Sequence, residues 1–120
     1  MTTYSAEQIQ ANRKKFIASL RRSKRQCRGT LFSDKKACAI GVAMRALFGV
    51  RNEGQLYAKI EADNAYDPYA LVAEALGIPG ETDYYTPGAP LSVRHIYRWN
   101  DGEDMTFPQI AGKLAEVWSL

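Results

Sequence analysis

The stretch Ala37-Cys38-Ala39-Ile40-Gly41-Val42-Ala43-Met44-Arg45-Ala46-Leu47-Phe48-Gly49 decides the fold. Twelve residues from Ala37 to Phe48 are apolar or small except Arg45, so no polar face is left for water. A helix that is apolar nearly all round belongs at the centre of a protein, with others packed about it. Gly49 supplies the left-handed residue that commonly closes a helix. Gly41 inside the run costs about 1 kcal/mol relative to alanine, which marks a place where another backbone comes close.

Working outward, the elements that could cover such a helix are amphipathic helices. From Ser5, residues Ile9, Phe16, Ile17 and Leu20 fall within about 100° of arc at 100° per residue, a core-facing stripe. Ser5 with Gln8 forms a capping box, and the helix is predicted to run to about Gln26. Downstream, Gly54–Asn64 reads as a short helix carrying Leu56, Tyr57 and Ile60. Asp67-Pro68 opens another that stops at Gly77, because Asp caps and Pro fits the first turn. The last two helices are predicted over Leu91–Asn100 and Thr106–Trp118. They are expected to pack on the central helix through Ile96, Phe107, Ile110, Leu114 and Trp118.

Between the first helix and the central one, Gly29–Phe32 and Lys36–Cys38 flank Ser33-Asp34-Lys35, a turn-forming triplet. The sequence therefore predicts a mainly α, compact single-domain bundle of five or six helices over residues 1–120, with room for one short β-hairpin near residues 29–38. The overall composition, 46% hydrophobic and 24% charged, is that of a globular chain that buries a core. No apolar run reaches the eighteen or so residues of a membrane span, and no signal peptide is visible, so the expectation is a cytoplasmic protein.

The net charge of +3 hides a division along the chain. Residues 1–36 carry ten bases and two acids, a net +8, and the remainder six bases and eleven acids, a net −5. On the wheel of the first helix Lys14, Lys15, Arg21, Arg22, Arg25 and Arg28 lie opposite the apolar stripe, so the positive segment forms a face. Such a face is a solvated surface, a contact for an acidic protein, or a contact for nucleic acid, the last through Arg21, Arg22, Lys24 and Arg25. A second candidate contact is the Tyr84-Tyr85 pair between Pro79 and Pro87, since tyrosine offers large area at small entropic cost.

Three segments carry a likeness to known proteins. Ser19-Leu20-Arg21-Arg22-Ser23 is followed by Gln26 and Gly29-Thr30-Leu31. Then come Cys38-Ala39-Ile40-Gly41-Val42, and finally Trp99-Asn100-Asp101-Gly102 with Phe107-Pro108-Gln109-Ile110-Ala111. In order and spacing these resemble a family of small proteins found widely in bacteriophage and prophage genomes. That family shows a Leu-Arg-Ser-Gly-like stretch, Cys-Cys-Leu-Gly-Val, and a Leu-Asn-Asp segment before Phe-x-x-Ile-Ala. Ala39 stands where the family usually has a second cysteine, and Trp99 replaces a common leucine. The resemblance implies a phage origin and a shared fold; it implies no particular reaction.

Catalytic chemistry finds little purchase. Cys27, Cys38 and the single His95 do not make a zinc set, and no C-x-x-C is present, so no metal and no cofactor are expected. Cys38 is read as a packed thiol rather than a nucleophile, His95 lacks a nucleophile motif, and Asn100-Asp101 is read as a polar turn. The resulting expectation is a non-enzymatic, phage-type accessory protein that binds a host macromolecule, in a host-takeover or anti-defence role, through its basic first helix. The alternatives are sequence-independent nucleic-acid binding, and a small-molecule sponge or minor enzyme with a pocket among the tyrosines.

Overall fold

The computed structural model describes residues 4–33, 35–65, 67–79 and 91–120. Among these, six helices and one two-stranded hairpin follow in the order α1 (Ala6–Arg22), β1 (Phe32–Ser33), β2 (Lys36–Ala37), α2 (Ala39–Phe48), α3 (Glu53–Ala62), α4 (Pro68–Leu76), α5 (Val93–Asp101) and α6 (Phe107–Val117). The mainly α architecture and the hairpin agree with the sequence reading. The radius of gyration of 13.2 Å is close to the ~13.6 Å expected for a compact chain of this length.

Helix α2 sits at the centre. Ala39, Ile40, Gly41, Val42, Ala43 and Met44 are all buried, and the helix contacts α1, α4 and α5. Gly49 closes it in the left-handed region at φ 71°, donating its N–H to the Arg45 and Met44 carbonyls. Arg45, the one charge in the run, sends its guanidinium 2.6 Å to the Ser23 hydroxyl just past the end of α1.

Helix α1 buries Phe16, Ile17, Ser19 and Leu20 and packs on α2, α6 and α4. Its capping box is complete: the Gln8 N–H donates to Ser5 Oγ at 3.1 Å and the Ser5 N–H to Gln8 Oε1 at 2.8 Å. The helix ends at Arg22, four residues short of the predicted Gln26. Ser23 adopts an extended conformation, and both its N–H and its hydroxyl donate to the Ser19 carbonyl. Those two bonds satisfy the last turn and release the chain. It then runs extended into a parallel bridge with Ala37, where the Cys27 N–H donates to the Ala37 carbonyl and the Ala37 N–H to the Arg25 carbonyl, both at 3.0 Å.

Two packing expectations change. Helix α5 rests on α2 as expected, but α6 packs chiefly on α1, burying Phe107, Ile110, Ala111 and Leu114. Trp118 lies past the end of α6, with the Arg13 guanidinium 4.9 Å from its ring centre. In α3 only Leu56 is fully buried, whereas Tyr57 is 67% exposed. Leu56 and Ile60, at i and i+4, fill the narrow apolar stripe, and Tyr57 lies 100° round from Leu56, beyond its edge. The hairpin is tighter than read, pairing Phe32 with Ala37 and Ser33 with Lys36.

Gly41 holds the hairpin loop against α2. A Cβ there would run into the Leu31 carbonyl oxygen, which is also the acceptor for the Cys38 N–H at 2.9 Å. Backbone cannot move aside as a flexible side chain can. Gly41→Ala is therefore expected to destabilise the fold by about 2–3 kcal/mol and lower the thermal midpoint by roughly 10 °C, as read by calorimetry. Gly112→Ala, at a helical glycine with open space around it, should stabilise slightly.

Candidate binding surface

The predicted basic face divides into three parts. Lys14, Lys15, Arg21 and Arg22 stand exposed on α1, spread over about 120° of its outer side at 100° per residue. Lys24 and Arg25 are also exposed, but they lie past the end of the helix on the extended segment. Arg25 is thus not part of the helical face, because Ser23 ends the helix and the Arg25 carbonyl is engaged by the Ala37 N–H.

Arg28 is not part of that face either. Its Nε donates to the Asn100 carbonyl at 2.9 Å and lies 3.1 Å from Asp104 Oδ1, so a carboxylate of the chain's own acidic part pairs with it. Among the described residues the ion pairs are Arg28–Asp104 and Lys59–Asp63. Lys14, Lys15, Arg21, Arg22, Lys24 and Arg25 form none with a described residue. Arg22 bonds only within its helix, to Ser19 Oγ at 3.3 Å. Arg13, outside the predicted set, is drawn inward: its guanidinium donates to the Leu76 carbonyl at 2.8 Å and the Gly77 carbonyl at 3.3 Å. There it meets the negative end of α4. Tyr84 and Tyr85 lie outside the described residues.

Concavities lined by described residues include the following two. A groove of about 310 Å³ between α1 and the end of the chain is lined by Lys14, Ile17, Ala18, Arg21, Ala115 and Leu120. A second cavity, of about 230 Å³, lies by the hairpin loop, where Thr30, Leu31, Cys38, Tyr69, Tyr97 and Asp101 are among its walls. Among the described residues no group of three or more histidines, cysteines or acids is placed to hold a metal, and no helix is long and apolar enough to cross a membrane.

Beside the second cavity is a buried polar joint that sequence reasoning missed. Asn100, read as part of a polar turn, is fully buried near the end of α5. Its Oδ1 accepts from the Ala39 N–H at 3.1 Å and from Gln26 Nε2 at 2.8 Å; its Nδ2 donates to the Cys27 carbonyl at 2.9 Å and to Asp101 Oδ1 at 2.7 Å. A backbone N–H can only donate and a carbonyl only accept, which fixes the orientation of the amide. Gln26 also reaches the Met105 carbonyl at 2.7 Å, and Asp101 Oδ1 accepts from the Gly29 N–H at 3.1 Å. Gln26, Gly29, Leu31, Cys38, Gly41 and Asn100 all meet at this joint or at the adjoining Leu31–Gly41 contact. Their spacing in sequence gave an order but not this convergence. An exposed turn and a buried one look alike in a single sequence.

The two residues of catalytic interest are otherwise occupied. Cys38 caps α2, its sulfur accepting from the Gly41 N–H at 3.4 Å, and burial pushes the thiol up to about 11. Cys27 and Cys38 are both free thiols. His95 Nδ1 accepts from the Ser92 N–H at 3.1 Å and pairs with the Ser92 hydroxyl at 2.9 Å, as the partner residue of an α5 capping box. Burial, and then Arg98, lower its pKa, which favours the neutral ring, and the Ser92 N–H selects the tautomer with Nδ1 as acceptor. No protein-family model, curated protein or solved structure matches the chain.

Removing the Asn100 amide strands the buried Ala39 N–H and the Cys27 carbonyl together. Asn100→Ala is expected to cost about 2–6 kcal/mol, at about 1–3 kcal/mol for each of the two groups left unpaired, measurable by urea denaturation. Cys38 gives a pH signature. The folded state holds the thiol proton to about pH 11, while the unfolded chain releases it near 9. Stability contributed by the protonated thiol is present below about pH 9 and lost as pH rises toward 11. Cys38→Ala should show a shallower loss of stability over that interval than the wild type.

Proposed function

We propose that this chain is a non-enzymatic accessory protein of phage type, acting in host takeover or anti-defence by binding a host protein and occluding its surface. The observation that carries this reading is the set of exposed cations Lys14, Lys15, Arg21, Arg22, Lys24 and Arg25, none of them paired with a carboxylate among the described residues. A fold that directs Arg28 to Asp104 and Arg13 to the end of α4 leaves these six facing solvent. Unpaired charge of one sign on a surface steers association with a partner of the opposite sign. The phage character rests on the resemblance carried by the Cys38–Val42 and Asn100–Ala111 segments. Supporting the binding role over a catalytic one, His95 is engaged by Ser92 and the Cys38 thiol holds its proton well above neutrality.

Nucleic acid is the second reading, favoured by the closely spaced Arg21, Arg22, Lys24 and Arg25, all exposed. Salt separates the two. Phosphate contacts would make log K fall with log salt by about 0.9 for each phosphate neutralised.

The test is affinity capture from nuclease-treated bacterial lysate with wild type and with an Arg21→Glu, Arg22→Glu, Arg25→Glu variant. The expected result is a defined protein recovered by the wild type and lost by the variant. Recovery of the same proteins by both would overturn the reading. Tight binding of random duplex DNA with a steep salt slope that the variant abolishes would replace it with the nucleic-acid reading.

A further inference from the structure

Lys14, Ile17, Ala18 and Arg21 follow one another at i, i+3, i+4 and i+7, so they form a single line along α1. The two cations at its ends are separated by about 10.5 Å of helix rise. Between them lies the groove of about 310 Å³, in which Ala115 and Leu120 face α1 across the gap. Leu120 is 40% exposed, one of three large hydrophobic residues in the described chain that stand open to solvent. Both end cations are exposed, and neither has a carboxylate partner among the described residues. The side chains that line the groove are therefore apolar apart from two cations, which flank Ile17 and Ala18 along α1.

From this charge and shape we infer that the groove receives an acidic amphipathic helix of a partner protein, with carboxylates two turns apart and apolar side chains between them. The inference rests on the protein-binding reading above and names the chemistry of the partner. Two carboxylates at i and i+7 match the separation of Lys14 and Arg21, and residues at i+3 and i+4 enter the trough, the usual anchors of a helix laid in a groove. A volume near 300 Å³ is at the bottom of the range for small-ligand pockets and suits one or two side chains. A duplex phosphate backbone brings charge and nothing to fill the trough. A single strand would stack its bases on aromatic rings, and the groove lining has none.

The experiment is a titration of the full chain, followed by amide resonances, with a synthetic helical peptide of about 15 residues. The peptide carries Glu at i and i+7 and Leu at i+3 and i+4. Shifts centred on Ala18, Arg21 and Ala115 are expected. Lys14→Glu with Arg21→Glu, both at exposed positions, should weaken binding about tenfold or more. Leu120→Ser, which leaves both charges in place, should weaken it several-fold. Peptides with Gln for Glu, or Ala for Leu, should each bind more weakly. The inference is overturned if the peptide shifts other residues or none, if the Ala peptide binds as well as the Leu peptide, or if duplex DNA, anionic vesicles or a free fatty acid take the groove more tightly. Capture of a host protein that survives reversal at Lys14 and Arg21 but is lost on reversal at Lys24 and Arg25 would sink the groove and leave the broader reading standing. Capture indifferent to both reversals would sink the broader reading.

Discussion

The carboxamide of Asn100 is the constraint on which the arrangement depends. The central helix begins at Ala39 behind Cys38, whose sulfur is a weak acceptor for the first-turn N–H groups. A buried helix start with so poor a local cap leaves donors unsatisfied in a place water cannot reach. Asn100 corrects this from 61 residues away, accepting from the Ala39 N–H while its other end holds the Cys27 carbonyl. One fully buried side chain thus joins the start of α2, the segment leaving α1 and the end of α5. Low local dielectric makes such a joint strong when complete and costly when any member is lost.

The joint also determines where the positive charges end up. Gln26 is drawn to Asn100 and Met105, and Cys27 to Ala37, so residues 24–28 cannot continue the helix of α1. Arg28 is carried across to Asp104, and the cations before it remain outside. The division of charge visible in the chain is therefore only partly a division of the folded surface. One of the six predicted cations, Arg28, is paired with the acidic part, Arg25 is moved off the helix, and Lys14, Lys15, Arg21 and Arg22 remain as a helical face.

Much of the fold was legible because its signals are local. The capping boxes at Ser5 and Thr106, the left-handed glycines at 49 and 77, and the Asp67-Pro68 start each depend on residues within one turn of one another. Gly41 was legible as a close approach because an unexplained helical glycine has few other uses. The identity of its neighbour, the Leu31 carbonyl, was not. Illegible features were those decided by partners far away in sequence: the end of α1, the pairing of Arg28, the burial of Asn100, and the choice of α1 over α2 by α6. Periodicity reports that a face is apolar and is silent about which face meets it.

Binding through such a surface depends on how firmly its charges are held. Lys14, Lys15, Arg21 and Arg22 project from a helix anchored by the buried Phe16, Ile17 and Leu20, so their backbone positions are fixed before any partner arrives. Lys24 and Arg25 sit on a segment fastened at Ala37 and at Asn100, which holds them nearly as well. A preorganised array spends less free energy on ordering than a basic tail would, so each contact contributes more of its strength to affinity. Exposed charge pairs alone are worth only about 0–1 kcal/mol each, too little for a tight complex from a handful of cations. Specific binding at this surface needs apolar burial beside the charges, and the trough between Lys14 and Arg21 is where apolar groups and cations stand together.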